Sequence, residues 1–282
     1  MIDLLPLDAS TGQLMILGSF TFVMGIFAGI IGVALGAVRL PIMLAMGFNP
    51  VIAAGTNLGV TILGGTAAAW PHWRDGRVVG RVVLVIGIPA IIGSLLGGFF
   101  AEDMKAWILL GLIASLSAIS SVISFSQWWR ALRKPSQLED LNASFSPIAT
   151  RDGVSLNQKN QMLYGSLGFA IGVLGGAAGL ILAVLRFPIL INVLRMDPRT
   201  AAGSNNTIGV LAGISGFAGH AINMNFDVAV LAVMGITGMA GSFIGAKQTG
   251  RISATTMRLM VAVLLATTTP IVVVRMFAEY PN

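Results

Sequence analysis

Eight apolar stretches run through this chain, at about 14–38, 51–71, 82–101, 106–125, 162–185, 200–222, 228–246 and 257–278, most of them of spanning length. About 20 apolar residues suffice to cross a bilayer as a helix, so the expected class is an all-α integral membrane protein. Charge agrees. Only 10% of the 282 residues are charged and 55% are hydrophobic, with a mean hydropathy of +0.86. A soluble domain carries about 25% charge, so this inventory cannot build a water-facing surface. The excess of 17 Lys and Arg over 11 Asp and Glu, +6 in all, is then loop charge that sets orientation. No basic patch with interleaved aromatics occurs, so nucleic acid is not an expected partner. Cysteine is absent, which excludes disulfides, thiolate metal sites and cysteine nucleophiles. The start, MIDLLPLDASTGQ, has no basic n-region, so no cleavable signal is expected.

A polar segment at 126–160 separates a first repeat (1–125) from a second (161–282) and is expected on the cytoplasmic side. At an offset of 147, Phe22 falls on Phe169, Gly25 on Gly172, Gly29 on Gly176, Gly32 on Gly179, Arg39 on Arg186 and Pro41 on Pro188. One inserted residue moves the offset to 148, which pairs Pro50 with Pro198, Ala53-Ala54-Gly55 with Ala201-Ala202-Gly203, Asn57 with Asn205 and His72 with His220. Arg, Pro, Asn and His matching in one register mark an internal duplication.

Loop charge suggests the relation between the copies. Arg74, Arg77 and Arg81 crowd one connection, whereas its counterpart holds only Asp227; Lys247, Arg251 and Arg258 crowd a later one, opposite Lys105, Glu102 and Asp103. Basic loops stay cytoplasmic, so equivalent loops are expected on opposite sides, as in the inverted repeats of secondary transporters. Each half then needs an odd number of crossings, and one of its four stretches must be broken or re-entrant. The Gly-rich first stretch is the candidate, GIFAGIIGVALGAVRLP and GVLGGAAGLILAVLRFP, through Gly29, Gly32, Pro41, Gly176, Gly179 and Pro188.

Arg39 and Arg186 are the strongest functional signal. A guanidinium at bilayer depth is costly and usually faces a cavity and a partner, and no acidic residue lies within ten positions of Arg39. An oxyanion fits the guanidinium fork; an interfacial arginine that snorkels is the bland alternative. Next come Gly55-Thr56-Asn57 and Gly203-Ser204-Asn205-Asn206 after their prolines, suited to helix amino termini whose free N–H groups favour an anion, or to hydrogen bonding across packed helices. His72 and His220 stand about 22 Å further along a continuous helix. An interfacial role comes first for them, with gating or proton coupling as the alternative. GSFIGAK at 241–247 misses the phosphate-loop pattern, and no HExxH or GxSxG motif occurs. No metal, cofactor or enzymatic chemistry is expected.

The Gly-rich stretch running into Pro41, the AAGTN segment followed by HWRDGRV at 72–78, and their second-half echoes resemble the TauE/SafE sulfite exporter family, also called the toluene sulfonate uptake permease (TSUP) family. The resemblance covers almost the whole chain outside 126–160. It implies a multi-pass transporter of the bacterial inner membrane for sulfite, sulfonates or related anions. Here Gly25, Gly29, Gly32 and Gly36 replace a longer glycine run, and two arginines point to a dianion or a carboxylate-bearing sulfonate such as sulfoacetate. The expected mechanism is proton-coupled alternating access, with one anion between the repeats held by Arg39, Arg186, Thr56, Asn57, Ser204, Asn205 and Asn206. A passive anion channel and a scaffold whose arginines bind anionic lipid are the alternatives. Expected partners are the small anion, membrane lipid and, as a candidate, a second copy of the chain.

Overall fold

The computed structural model describes residues 9–31, 36–133, 158–190, 194, 196, 198–246 and 254–280, all of them in helices or in the turns between helices. The helices are α1 (Thr11–Ile31), α2 (Gly36–Ala45), α3 (Pro50–Arg74), α4 (Gly80–Phe99), α5 (Ala106–Arg133), α6 (Gln158–Ala178), α7 (Ala183–Pro188), α8 (Pro198–Ile222), α9 (Val228–Ala246) and α10 (Ala254–Ala278). Both Pro50 and Pro198 sit at the first turn of a long helix, where a missing N–H costs nothing. Within α4, the turn Val83–Gly87 is π-helical. Pro89 lies just beyond it and has no N–H to return to the preceding turn.

Five helices among the described residues are long and apolar enough to cross a membrane: Thr11–Ala28, Gly80–Phe99, Ala106–Arg130, Gln161–Ala178 and Val228–Gly245. Large apolar side chains cover the outside, with Val122 68%, Ile236 70% and Val274 70% exposed, a surface suited to lipid. Trp70, Trp73 and Trp129 stand exposed at helix ends, where aromatic belts form. Of the segment expected as a linker, α5 takes in the residues up to Arg133 and α6 begins at Gln158; residues 134–157 lie outside the described ones.

The duplication is carried into the contacts. α1 packs on α9 and α6 on α4, so each copy lends its first helix to the fourth helix of the other; α3 packs on α8 and α5 on α10. These contacts run backbone to backbone through small residues. Gly25 lies against Gly238 and Ser242, and its equivalent Gly172 lies against Ala90. Gly241 lies against Phe22 and Ile26, and its equivalent Gly93 against Phe169 and Val173. The helices α3 and α8 run antiparallel: Leu58 meets Gly216, Ile62 meets Gly213 and Gly65 meets Val210. Their ends exchange equivalent contacts. Thr56 Oγ1 accepts from Asp227 N at 2.9 Å, and Ser204 Oγ accepts from Val79 N at 3.0 Å. Gly55 abuts the Asn225 carbonyl just as Gly203 abuts that of Arg77. Even the turn after each helix repeats, with a left-handed residue at Gly76 (φ +67°) and at Met224 (φ +55°).

Candidate functional site

The second copy shows how the first stretch breaks. α6 ends at Ala178, Gly179 takes φ +69°, residues 180–182 are non-helical, and α7 resumes at Ala183. A side chain at Gly179 would strike the Ala54 backbone of α3, so glycine is required there by both conformation and space. In the first copy the equivalent residues, 32–35 between α1 and α2, lie outside the described ones, Gly32 among them. Among the described residues, a non-helical backbone of this kind faces protein, as a membrane interior demands.

Each arginine reaches its own copy's asparagine. Arg39, buried on α2, donates from Nε to Asn57 Oδ1 at 3.3 Å and from Nη2 to Thr61 Oγ1 at 2.6 Å. Asn57 Nδ2 donates to the carbonyls of Gly36 at 3.1 Å and Gly179 at 2.9 Å, which ties α3 to the break of the other copy. In the second copy, Arg186 on α7 donates from Nε to Asn205 Oδ1 at 3.1 Å, and Asn205 Nδ2 donates to Ala183 O at 3.0 Å. Two features that are 18 and 19 positions apart in sequence thus form one unit in each copy. Arg39 is 6% exposed and Arg186 3%, and among the described residues the one ion pair, Arg77 with Asp75, involves neither of them. The guanidinium is charged at any physiological pH, so among the described residues two buried positive charges have no carboxylate paired to them.

Arg186 lines a cavity with Leu58, Ser94, Gly172, Leu182 and Gly209. Its volume is about 10 Å³, near the least that admits one water. The Nη2 atom of Arg186 has no hydrogen-bond partner. From the α3–α8 contacts, Thr61 stands opposite about residue 214, so Thr61 and Gly209 are roughly five residues, ~7 Å, apart along the helix pair. Both guanidinium groups therefore point toward the middle of that pair.

The other expected site residues take different places. Thr56 and Ser204 spend their hydroxyl oxygens on the backbone N–H groups of Asp227 and Val79 in the opposite copy. Asn206 is half-buried. Gly55 and Gly203 permit close helix contact, and Gly176 packs against Ser94. Pro41 lies inside α2 and is buried, and Pro188 ends α7. Gly29 falls near the end of α1. His220 is fully buried, and its Nε2 donates to the Gly176 carbonyl at 2.9 Å, next to the break; His72 lies on α3, and its side chain is outside the description. Asp227 entered the sequence reading only as a loop charge. It is buried and accepts from Val230 N at 2.9 Å, capping α9. No cluster of three or more metal-ligating side chains occurs among the described residues.

Comparison with known proteins adds a further finding. The family described as "Sulfite exporter TauE/SafE" matches residues 17–269. The probable membrane transporter protein YdhB of Bacillus subtilis is 26% identical over 230 residues, covering 81% of this chain and 87% of its own length. A second protein of that organism, probable membrane transporter protein YtnM, is 26% identical over 225 residues, 77% of this chain and 67% of its own. No solved structure matches the chain.

Proposed function

The chain belongs to the TauE/SafE sulfite exporter family, membrane transporters and not enzymes, and from that premise we propose that it is a secondary carrier of a small sulfur oxyanion, sulfite or a sulfonate. The observation that carries this reading is the buried Arg186 guanidinium, whose Nη2 has no partner at the cavity wall; among the described residues no carboxylate pairs with it or with Arg39. A buried charge needs a partner, and planar N–H forks suit the oxygens of a sulfur oxyanion. The anion binds between the copies, beside the α6–α7 break and against Arg186, while Asn57 and Asn205 hold the two arginines in place.

Alternating access follows from the duplication. The antiparallel packing of α3 on α8 supports a reading in which the copies are inverted, and rocking one against the other would open the site to each side in turn. A cavity of about 10 Å³ must widen to admit sulfite, which is the motion a carrier performs. A transmembrane proton gradient supplies the driving force. The test is thermal unfolding of the detergent-purified chain against sulfite, sulfate, sulfoacetate, isethionate, phosphate and acetate, followed by uptake of the best binder into proteoliposomes. A ligand at 100 times its dissociation constant adds about 2.7 kcal/mol to the folded state. A shift with one sulfur anion, lost in Arg186→Gln, supports the reading. No shift with any anion, together with stabilisation by anionic lipid, overturns it.

A further inference from the structure

We propose that the two arginines have divided their tasks: Arg186 donates directly to the transported anion, Arg39 is a structural clamp, and the residue pair Thr61 and Gly209 decides which is which. This inference rests on the carrier reading above. Positions 61 and 209 are equivalent, since 209 minus 61 is 148, the offset that aligns Asn57 with Asn205. In the first copy Thr61 Oγ1 accepts Arg39 Nη2 at 2.6 Å and donates to the Asn57 carbonyl at 2.6 Å, so hydroxyl, guanidinium and amide form a closed set. In the second copy no side chain stands there. A Cβ on Gly209 would lie 3.3 Å from Arg186 Nη2 and 2.9 Å from Ile181 Cγ2, so the place is filled by the neighbours and offers no acceptor.

The consequence is a charged donor, almost wholly buried, with nothing to donate to. Such a group is costly, and the first copy shows that one hydroxyl suffices to remove the cost. Its retention at Arg186, on the wall of the cavity, marks the copy that meets a ligand. Ser94 supplies the one hydroxyl in the rest of the lining, and Leu58, Ile171 and Leu182 supply an apolar wall. The chemistry fits a tetrahedral or pyramidal oxyanion that takes an N–H from one guanidinium edge and turns any carbon end toward the leucines.

The experiment measures sulfite and methanesulfonate dissociation constants for the full chain in detergent, for the parent and for Gly209→Ser, Gly209→Ala and Thr61→Ala. Serine offers Arg186 Nη2 an acceptor, and alanine adds the same Cβ without one. The expected result is that Gly209→Ser weakens anion binding about tenfold or more beyond Gly209→Ala, the factor one charged hydrogen bond carries. Thr61→Ala lowers thermal stability and leaves the dissociation constant within about threefold, since it touches only the clamp. Equal binding by the serine and alanine variants overturns the inference, as does a loss in Thr61→Ala as large as that in Arg186→Gln. If Gly209→Ser does not fold, Arg186→Lys and Arg39→Lys replace it: lysine keeps the charge but not the fork, and the inference requires lost anion affinity at 186 only. A parent that binds neither anion refutes the carrier reading itself, which is distinct from a parent that binds and variants that do not differ.

Discussion

Gly179→Ala tests whether the α6–α7 break is held by packing as well as by backbone conformation. Gly179 has φ +69°, and an added Cβ would run into the Cα, C and O atoms of Ala54. The left-handed backbone costs an L-residue about 1–2 kcal/mol, and forcing a methyl into a packed backbone contact costs about 1–3 kcal/mol more. The sum is a loss of about 2–5 kcal/mol. Gly47→Ala is the control, because Gly47 has φ +93° but no atom within 4 Å of its Cβ position, so only the conformational cost of about 1–2 kcal/mol applies. Denaturant unfolding of both variants in one detergent gives the comparison. Gly179→Ala should be the less stable by about 1–3 kcal/mol, the packing part alone. It should also weaken anion binding, since the Gly179 carbonyl is the group that Asn57 grips across the copies. Equal losses at the two glycines would refute the claim that α3 braces the break.

Three more outcomes follow from the duplication. Thr56→Ala and Ser204→Ala each strand one buried backbone N–H of the opposite copy, so each should cost about 1–3 kcal/mol, with additive losses in the double variant because the sites lie at opposite ends of the α3–α8 pair. Met224→Gly should stabilise the protein by about 0.5 kcal/mol: relief of left-handed strain, about 1–2 kcal/mol, exceeds the added freedom of the unfolded chain, about 0.4–1 kcal/mol, and Met224 is 72% exposed. A decrease in unfolding free energy would count against it. Finally, the chain has no cysteine, so Arg74→Cys and Ile222→Cys, equivalent and both exposed, can be labelled singly in sealed cells with a membrane-impermeant maleimide. Inverted copies predict labelling of only one of the two from a given side; labelling of both from the same side would sink the inverted arrangement.

What the sequence determined by itself is whatever depends on local chemistry. Lack of charge and the length of the apolar stretches dictate helices in lipid, since a membrane leaves the backbone no other partner than itself. Repetition of Arg, Pro, Asn and His in one register exposed the duplication, and clustered glycines ahead of a proline located the break, because both signals act within a turn or two of the chain. The pairing of Arg39 with Asn57 and of Arg186 with Asn205 was not legible, although all four residues stood out singly. Contact between residues 18 or 19 apart on different helices depends on how α2 folds back on α3, and α7 on α8. Nor did Thr56 and Ser204 declare that their hydroxyls serve the opposite copy, or His220 that it lies buried against the break. One signal was present and passed over. Thr61 aligns with Gly209 beside a matched asparagine, and the mismatch acquires meaning only when a buried guanidinium is found reaching for that position in both copies. Hydropathy and spacing act along the chain, whereas the fate of a buried N–H is set by which helix lies within 3 Å of it, and that is decided by tertiary packing alone.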